Sequence, residues 1–514
     1  MRIAMLSWES LHSIAVGGVA AHVSELATTL ARKGHQLHVF TRRPPGQSAH
    51  DFVEGVHYHR CIYSPHPEFV DDVNNMCRSF VDRVFEVEDF VGPFDVVHAH
   101  DWLVANAMIW IKQGRRHKTV FTIHSTEYAR CGNAFTNGRS VRVREQERAG
   151  TYWADRIIAV SQATKDEIAW MYEVSEEKIS VIHNGVNPDR FDIPTDAGQD
   201  KRRYQIGPLD PTVLFCGRLV WQKGPDLLIE AIPQALRALS HAKFVFLGDG
   251  EMRGALEARA HQLNIMHAVR FVGHRQGEQL IRLFKLADIV CVPSRNEPFG
   301  IVVLEAWSAG KPVVVTHNGG PAEYVRHEVN GLKIYPRPDS IAWGLTTLFG
   351  DFDRARRMGL NGRMALVQRF GWDTIATQTE AVYSKICPVP FTPLPQAEVD
   401  VGQAAVPVGL SKARMVTDRW RSRNGSVELE ARLLFPRSAY NGNASAQRDA
   451  FKKVLAEQGL DVEEREGSLE VRGHVETVLS ALVRSQRIAY PPKVRIVTGV
   501  RKKKSDVLAE MVES

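Results

Sequence analysis

Residues 292–306 read Val292-Pro293-Ser294-Arg295-Asn296-Glu297-Pro298-Phe299-Gly300-Ile301-Val302-Val303-Leu304-Glu305-Ala306, and Gly310-Lys311-Pro312 and Asn318-Gly319-Gly320 follow. The apolar run from Asp288 to Val292 has the length of a buried strand, Pro293 to Gly300 forms a loop, and Ile301 to Ala309 carries helical spacing. Strand, loop and helix in that order place the loop at the carboxyl end of a parallel sheet, where open α/β sheets bind their ligands. The amides of Phe299, Gly300 and Ile301 then lie at a helix N-terminus, where unpaired N–H groups and the dipole favour an anion. Gly300 permits close approach of that ligand to the backbone.

Outward from this stretch the alternation repeats. Strands are expected at Val213 to Cys216, Lys243 to Gly248 and Arg270 to Gly273, and helices at Pro225 to Leu236, from Glu251, and at Glu278 to Ala287. Nearer the N-terminus, Ile3 to Ser7 is a strand, and Gly17-Gly18 precedes a helix from Val19 to Lys33. Further strands are expected at Gln36 to Thr41, Asp95 to Ala99, Thr119 to His124, Arg156 to Val160 and Ile179 to His183. Such alternation implies parallel α/β sheets. Arg43 to Asp89 reads only as a polar loop and then an amphipathic helix, Pro188 to Pro211 as a polar connection, and Asn361 to Ile386 as helix.

The stretch from Cys387 through Val406-Pro407 is a proline-rich linker. Beyond it, strand Ser426 to Phe435, helix Ala444 to Gln458, a hairpin of Val462 to Glu466 and Ser468 to Arg472 about Gly467, helix His474 to Arg487 and strand Lys493 to Val500 follow one another. That β-α-β-β-α-β order is the order of a ferredoxin-like domain.

A chain of 514 residues is too long for one core. Its net charge is +6, and beyond residue 409 there are 20 Lys and Arg against 14 Asp and Glu, so the excess positive charge lies in the C-terminal region. Arg419-Trp420-Arg421-Ser422-Arg423 and Arg501-Lys502-Lys503-Lys504 there suit a solvated face or an anionic partner. The six cysteines are scattered without a Cys-x-x-Cys pair, as expected in a reducing compartment. Glu9 comes too early for a secretory signal, and no uncharged apolar run reaches about 18 residues. A cytoplasmic protein without a transmembrane segment is expected.

Four further motifs carry chemistry. Gly17-Gly18 sits between a strand and a helix, where a phosphate or sugar can reach the backbone, although it is not a dinucleotide fingerprint. His98-Ala99-His100-Asp101-Trp102 and the stretch from Phe121 to Tyr128 with His124 fall at strand ends facing one crevice. Strand alternation sends His98 and His100 to one face and Asp101 to the other, which argues against these three as metal ligands. Arg218 and Lys223 are separated by four residues in a loop between strand and helix. Asp351-Phe352-Asp353 reads as a helix start rather than a metal motif, so no metal site and no cofactor are expected.

Glu297 and Glu305, eight residues apart around Pro-Phe-Gly, with Gly-Gly-Pro-Ala-Glu downstream, resemble the Glu-x7-Glu pattern of the retaining glycosyltransferases of family four. The resemblance covers residues 1 to about 390 and implies the GT-B fold, two Rossmann-like domains facing a cleft. Domains are then expected at 1–187 and 188–386, with the last helix crossing back to the first domain, a linker at 387–409 and a small α+β domain at 410–514. By the same resemblance Glu297 and His124 meet the donor sugar and Glu305 the ribose. Arg218 and Lys223 hold the pyrophosphate, and Gly17, Gly18, Phe299, Gly300 and Ile301 line the donor. Two fixed cations beside a leaving diphosphate favour the transition state over the ground state.

His-Ala-His-Asp-Trp resembles glycogen and starch synthases, with Asp101 on the acceptor side. A glycogen synthase-like hexosyltransferase using UDP-glucose or ADP-glucose is therefore the first expectation. The Lys-x-Gly-Gly loop of bacterial glycogen synthases is absent, since Ala15-Val16 precede Gly17-Gly18. A transferase to a small acceptor or a surface polysaccharide is thus the near alternative. A non-catalytic carbohydrate-binding or regulatory protein is the alternative of another class, and a phosphorylase would need a pyridoxal-binding lysine that the sequence does not identify.

Overall fold

The computed structural model describes residues 1–387 except 133, 136 and 137, together with four strands of the C-terminal region at 428–434, 461–465, 468–474 and 493–497. Two compact units result, Met1–Leu394 and Pro395–Ser514. In the first unit the chain builds two sheets. Strands β1 (Arg2–Ser7), β2 (Gln36–Arg42), β3 (His50–Val53), β4 (Val56–Cys61), β5 (Val96–His100), β6 (Lys118–Ile123), β7 (Arg156–Ala159) and β8 (Ile179–Val181) run in the order β3-β4-β2-β1-β5-β6-β7-β8. All pairs are parallel except that of β3 with β4. Strands β9 (Thr212–Cys216), β10 (Lys243–Leu247), β11 (Val269–Gly273), β12 (Ile289–Val292), β13 (Val313–Thr316) and β14 (Leu332–Ile334) form the second sheet, wholly parallel, in the order β11-β10-β9-β12-β13-β14.

Both orders reverse direction beside the first strand of the sheet, between β1 and β5 and between β9 and β12. A crevice opens at such switch points. The inner strands are buried (β5, β12 and β13 throughout) because helices cover both faces. On one face of the first sheet, Val73, Phe80 and Met108 pack from helices Phe69–Val91 and Ala105–Arg115. On the other, Leu26 and Leu30 of helix Gly18–Arg32 meet Ile375 and Tyr383 of helix Trp372–Ile386, so the last helix crosses back onto the first domain.

Four expectations need correction. Arg43 to Asp89 holds the hairpin β3–β4 before its helix, and β4 is a buried strand that pairs parallel with β2 through Val56 and Tyr58. Its two histidines and its arginine hid the apolar alternation. The helix expected from Asn361 to Ile386 is two, Phe352–Arg369 and Trp372–Ile386, broken at Phe370-Gly371, where Gly371 is extended. The polar connection contains a short helix, Ala197–Arg203, started by the Asp196 carboxylate, which accepts from the Gln199 amide. Asp101 takes a φ of +64°, so the strand alternation ends at His100 and does not govern where its carboxylate points.

The second unit shows β15 (Glu428–Leu434), β16 (Asp461–Arg465), β17 (Ser468–His474) and β18 (Lys493–Val497) as an antiparallel sheet in the order β16-β17-β15-β18. That places β15 between β17 and β18, as a split β-α-β arrangement would. The expected helices, the linker and both basic clusters lie outside the described residues. No described helix is long and apolar enough to cross a membrane. All six cysteines are free thiols.

Candidate active site

The loop after β12 is held in shape by its own carboxylate. Lys223 Nζ donates to both oxygens of Glu297 at 2.9 Å, and Ser294 Oγ donates to Oε2 at 2.9 Å. Lys223 closes the one-turn helix Trp221–Lys223 that follows β9, so this ion pair ties together the loops leaving the two strands at the switch point. Gly300, at φ +87°, starts helix Ile301–Ser308, and a Cβ there would lie 2.8 Å from Pro321 Cγ. Gly319, at φ +75°, passes so close that a Cβ would lie 2.2 Å from the Glu297 carbonyl, which instead accepts from the Gly320 amide at 2.8 Å. The Tyr324 hydroxyl donates to the carbonyls of Phe299 and Gly300. The 299–301 amides are thereby fixed at a helix N-terminus, where an anion is favoured.

Arg218 is exposed in the cleft and, among the described residues, takes part in no ion pair. Partial desolvation and the nearby Arg130 cation both pull its pKa down. An added anion would remove that repulsion. Glu305, on the second turn of helix Ile301–Ser308, has its carboxyl pushed up to about 7 by burial, partly offset by Arg190. Arg218, Lys223, Glu297, Phe299, Gly300, Ile301 and Glu305 thus share one wall.

The opposite wall is built from β5, β6 and the first glycine loop. The Asp101 carboxylate accepts from the His124 amide at 2.7 Å, and burial pushes it up to about 6 against the Arg130 cation and two backbone N–H bonds. Burial brings His124 down to about 3, so its ring is a neutral hydrogen-bonding group across the physiological range. His100 Nδ1 lies 3.3 Å from His124 Nε2. His98 is spent on structure, bonded at 2.7 Å to both the Tyr383 hydroxyl and Thr122. Gly17 and Val16 donate their amides to Glu9 at 2.6 Å, which shapes the loop that carries Gly18. Gly18 then meets the second wall, since a Cβ on it would stand 2.7 Å from Ile301 Cδ1. The walls also meet where the Glu323 carboxylate accepts from the amides of Gln162 and Ala163, at 3.0 and 2.8 Å.

Sequence reading missed five contributors. Glu9 and Glu323 hold their loops, and in the sequence Glu323 is only the end of Gly-Gly-Pro-Ala-Glu. His22 lies one helical turn beyond Gly18 and packs 4.6 Å from the His124 ring. Arg130 bonds Ser125 O, Glu127 and Glu147, and the Tyr172 hydroxyl donates to Glu147 as well. One nitrogen each of His22, His100 and His124 lie within 4.8 Å of one another, and this is the cluster of metal-type donors found among the described residues. It includes neither His98 nor Asp101.

Two Rossmann-like domains whose switch points face each other over a helix N-terminus define a cleft of the GT-B type. Residues 196–365 match the family described as glycosyl transferases group 1, and residues 16–190 match glycosyltransferase family 4. A glycosyltransferase of Methanocaldococcus jannaschii, described as uncharacterized, is 38% identical over 390 residues, which is 74% of this chain and 98% of that one. The glycogen synthase of Mycobacterium tuberculosis is 33% identical over 399 residues, covering 74% of this chain and 94% of its own. Sucrose-phosphate synthase from Thermosynechococcus elongatus shares the fold, with a TM-score of 0.65 at 23% identity over 75% of this chain and 98% of that one. The chain belongs to the family-four glycosyltransferases of the GT-B fold, and it is a hexosyltransferase.

Proposed function

We propose that the chain moves a glucosyl unit, with retention of configuration, from UDP-glucose or ADP-glucose to an α-glucan in the cytoplasm, without a catalytic metal. The observation that carries the donor half is the unpaired Arg218 cation in the same wall as the helix N-terminus at 299–301. These groups receive the diphosphate. Lys223, shared with Glu297, turns toward it as charge builds on the leaving oxygen, and each charge-assisted contact is worth about 1.5–3 kcal/mol. Glu305 accepts from the ribose hydroxyls, and Glu297 and neutral His124 orient the sugar.

The bond from the anomeric carbon to phosphate breaks, a bond to the acceptor oxygen forms on the same face, and the acceptor proton passes to the departing phosphate. Asp101 orients that acceptor hydroxyl. The 33% identity to a glycogen synthase and the His-Ala-His-Asp-Trp stretch support the glucan acceptor. Nucleoside diphosphate release from UDP-glucose, ADP-glucose and GDP-mannose, with and without malto-oligosaccharide, tests this reading. Release that requires the oligosaccharide and survives EDTA is expected. Release equal in its absence, or abolished by EDTA and restored by magnesium, contradicts it.

A further inference from the structure

Beside the Glu297 loop lies a cavity of about 260 Å³ whose lining holds none of the side chains given a donor, acceptor or catalytic role above. Thr126, Thr164 and Glu167 reach it from the first domain, and Arg295, Asn296 and Asn318 from the second. At roughly 30 Å³ per water it has room for about eight waters, or for one pyranose ring with a few of them. Its position relative to the chemistry follows from the chain. Thr126 is two residues past His124, and Asn296 and Pro298 flank Glu297 on either side.

The lining selects a ligand class. Among the described residues no aromatic ring lines the cavity, so a nucleobase would find nothing there to stack on. Arg295 is the cation of the lining, but both its terminal nitrogens bond the Asp226 carboxylate, at 2.9 and 2.6 Å, and its plane lies over Trp221. Its charge is already matched, which disfavours a phosphate. What remains are hydroxyls, amides and one carboxyl. The Thr126 hydroxyl donates to Glu167, whose carboxyl also bonds the Asn296 side chain across the domain boundary. Thr164 Oγ1 reaches the Pro298 carbonyl at 3.5 Å, and Asn318 Nδ2 the Arg295 carbonyl at 3.3 Å, both long enough to yield to a better partner. Such a set of mixed donors and acceptors matches the hydroxyls of a neutral sugar.

We propose that this cavity binds one neutral pyranose ring of the acceptor saccharide, a unit beyond the residue that receives the hexose. The inference rests on the transferase reading. It makes the enzyme selective for an oligosaccharide over a single sugar, because only a chain fills both places.

The probes are maltotriose, mannotriose and raffinose, titrated into the full-length protein saturated with UDP or ADP and followed by saturation-transfer NMR and calorimetry. At least one should bind, and Asn318→Ala and Glu167→Gln should each weaken it about tenfold while leaving the nucleotide affinity unchanged. In turnover, the same variants should lower kcat/KM for the trisaccharide about tenfold and leave transfer to the free monosaccharide unaffected. Absence of binding by all three in the wild type overturns the proposal, as does equal binding by wild type and both variants. Loss of UDP-glucose or ADP-glucose binding in the variants overturns it too, by assigning the cavity to the donor. Because saccharide binding is read without turnover, its failure is distinct from a failure of the transferase reading, which shows as no diphosphate release from any donor.

Discussion

The two walls of the cleft are built by different means. On the second-domain wall, residues 292–306 and 217–224 bring almost every functional group within a few residues of the next, and one ion pair, Lys223 with Glu297, joins the two loops. The first-domain wall draws on distant positions. His22, His100 and His124 come from a helix and the ends of two strands, and Asp101 depends on Arg130, whose own partner Glu147 lies on another helix. The second wall is thus a local device set on a sheet edge, whereas the first is a buried network that exists only when the whole domain is folded. Substitutions should separate them: on the first wall they cost stability, and on the second they cost catalysis.

The largest effect is expected at Glu147→Ala. Glu147 is 1% exposed, and its loss leaves the Arg130 guanidinium short of a buried counter-charge and Tyr172 without its acceptor. Breaking such a pair costs about 3–5 kcal/mol. Chemical denaturation should show that loss, and a variant as stable as the wild type would remove the claim that this wall is a buried network. Arg218→Ala is expected to lower kcat about a hundredfold or more with unchanged stability, because the residue is solvent-exposed and forms no ion pair among the described residues. Near-normal turnover would break the phosphate assignment.

The smallest effect is the pH dependence of Glu305. Its carboxyl is raised to about 7 by burial, so the folded state holds the proton more tightly than the unfolded chain does. The stability this contributes is fully present below the unfolded value of 4.5 and is lost as pH rises through about 7. Glu305→Gln should therefore be more stable than the wild type at pH 9 and no more stable at pH 4. Donor affinity of the wild type should strengthen as pH rises through the same range, when the carboxylate forms, and the variant should be flat. His124, already neutral, should contribute to neither profile.

The same contrast explains what could be read from sequence. Residues 292–306 and the pair Arg218 and Lys223 were legible because strand, loop and helix follow in sequence and their spacing is their geometry. Most strands of both sheets followed from the apolar runs, but β3, β4, β13 and β14 did not, and in β4 Val56-His57-Tyr58-His59-Arg60-Cys61 buries histidine and arginine in ring stacks and an Asp51 pair that hydropathy does not register. His22 and Glu147 were not legible. Each lies on a helix as an ordinary polar residue, and only tertiary packing delivers it to His124 or Arg130. Glu323 was visible as a motif, but its role needed the other domain, whose amides it accepts.

The most direct test is nucleotide binding measured across the two walls. Calorimetric titration of UDP and ADP should show one site in the wild type, weakened about tenfold or more in Arg218→Ala and unchanged in Asp101→Asn, because the proposed function assigns the diphosphate to Arg218 and the 299–301 amides and Asp101 to the acceptor. Equal weakening by both substitutions, or no binding of either nucleotide to the wild type, would contradict the division of the cleft into a donor wall and an acceptor wall.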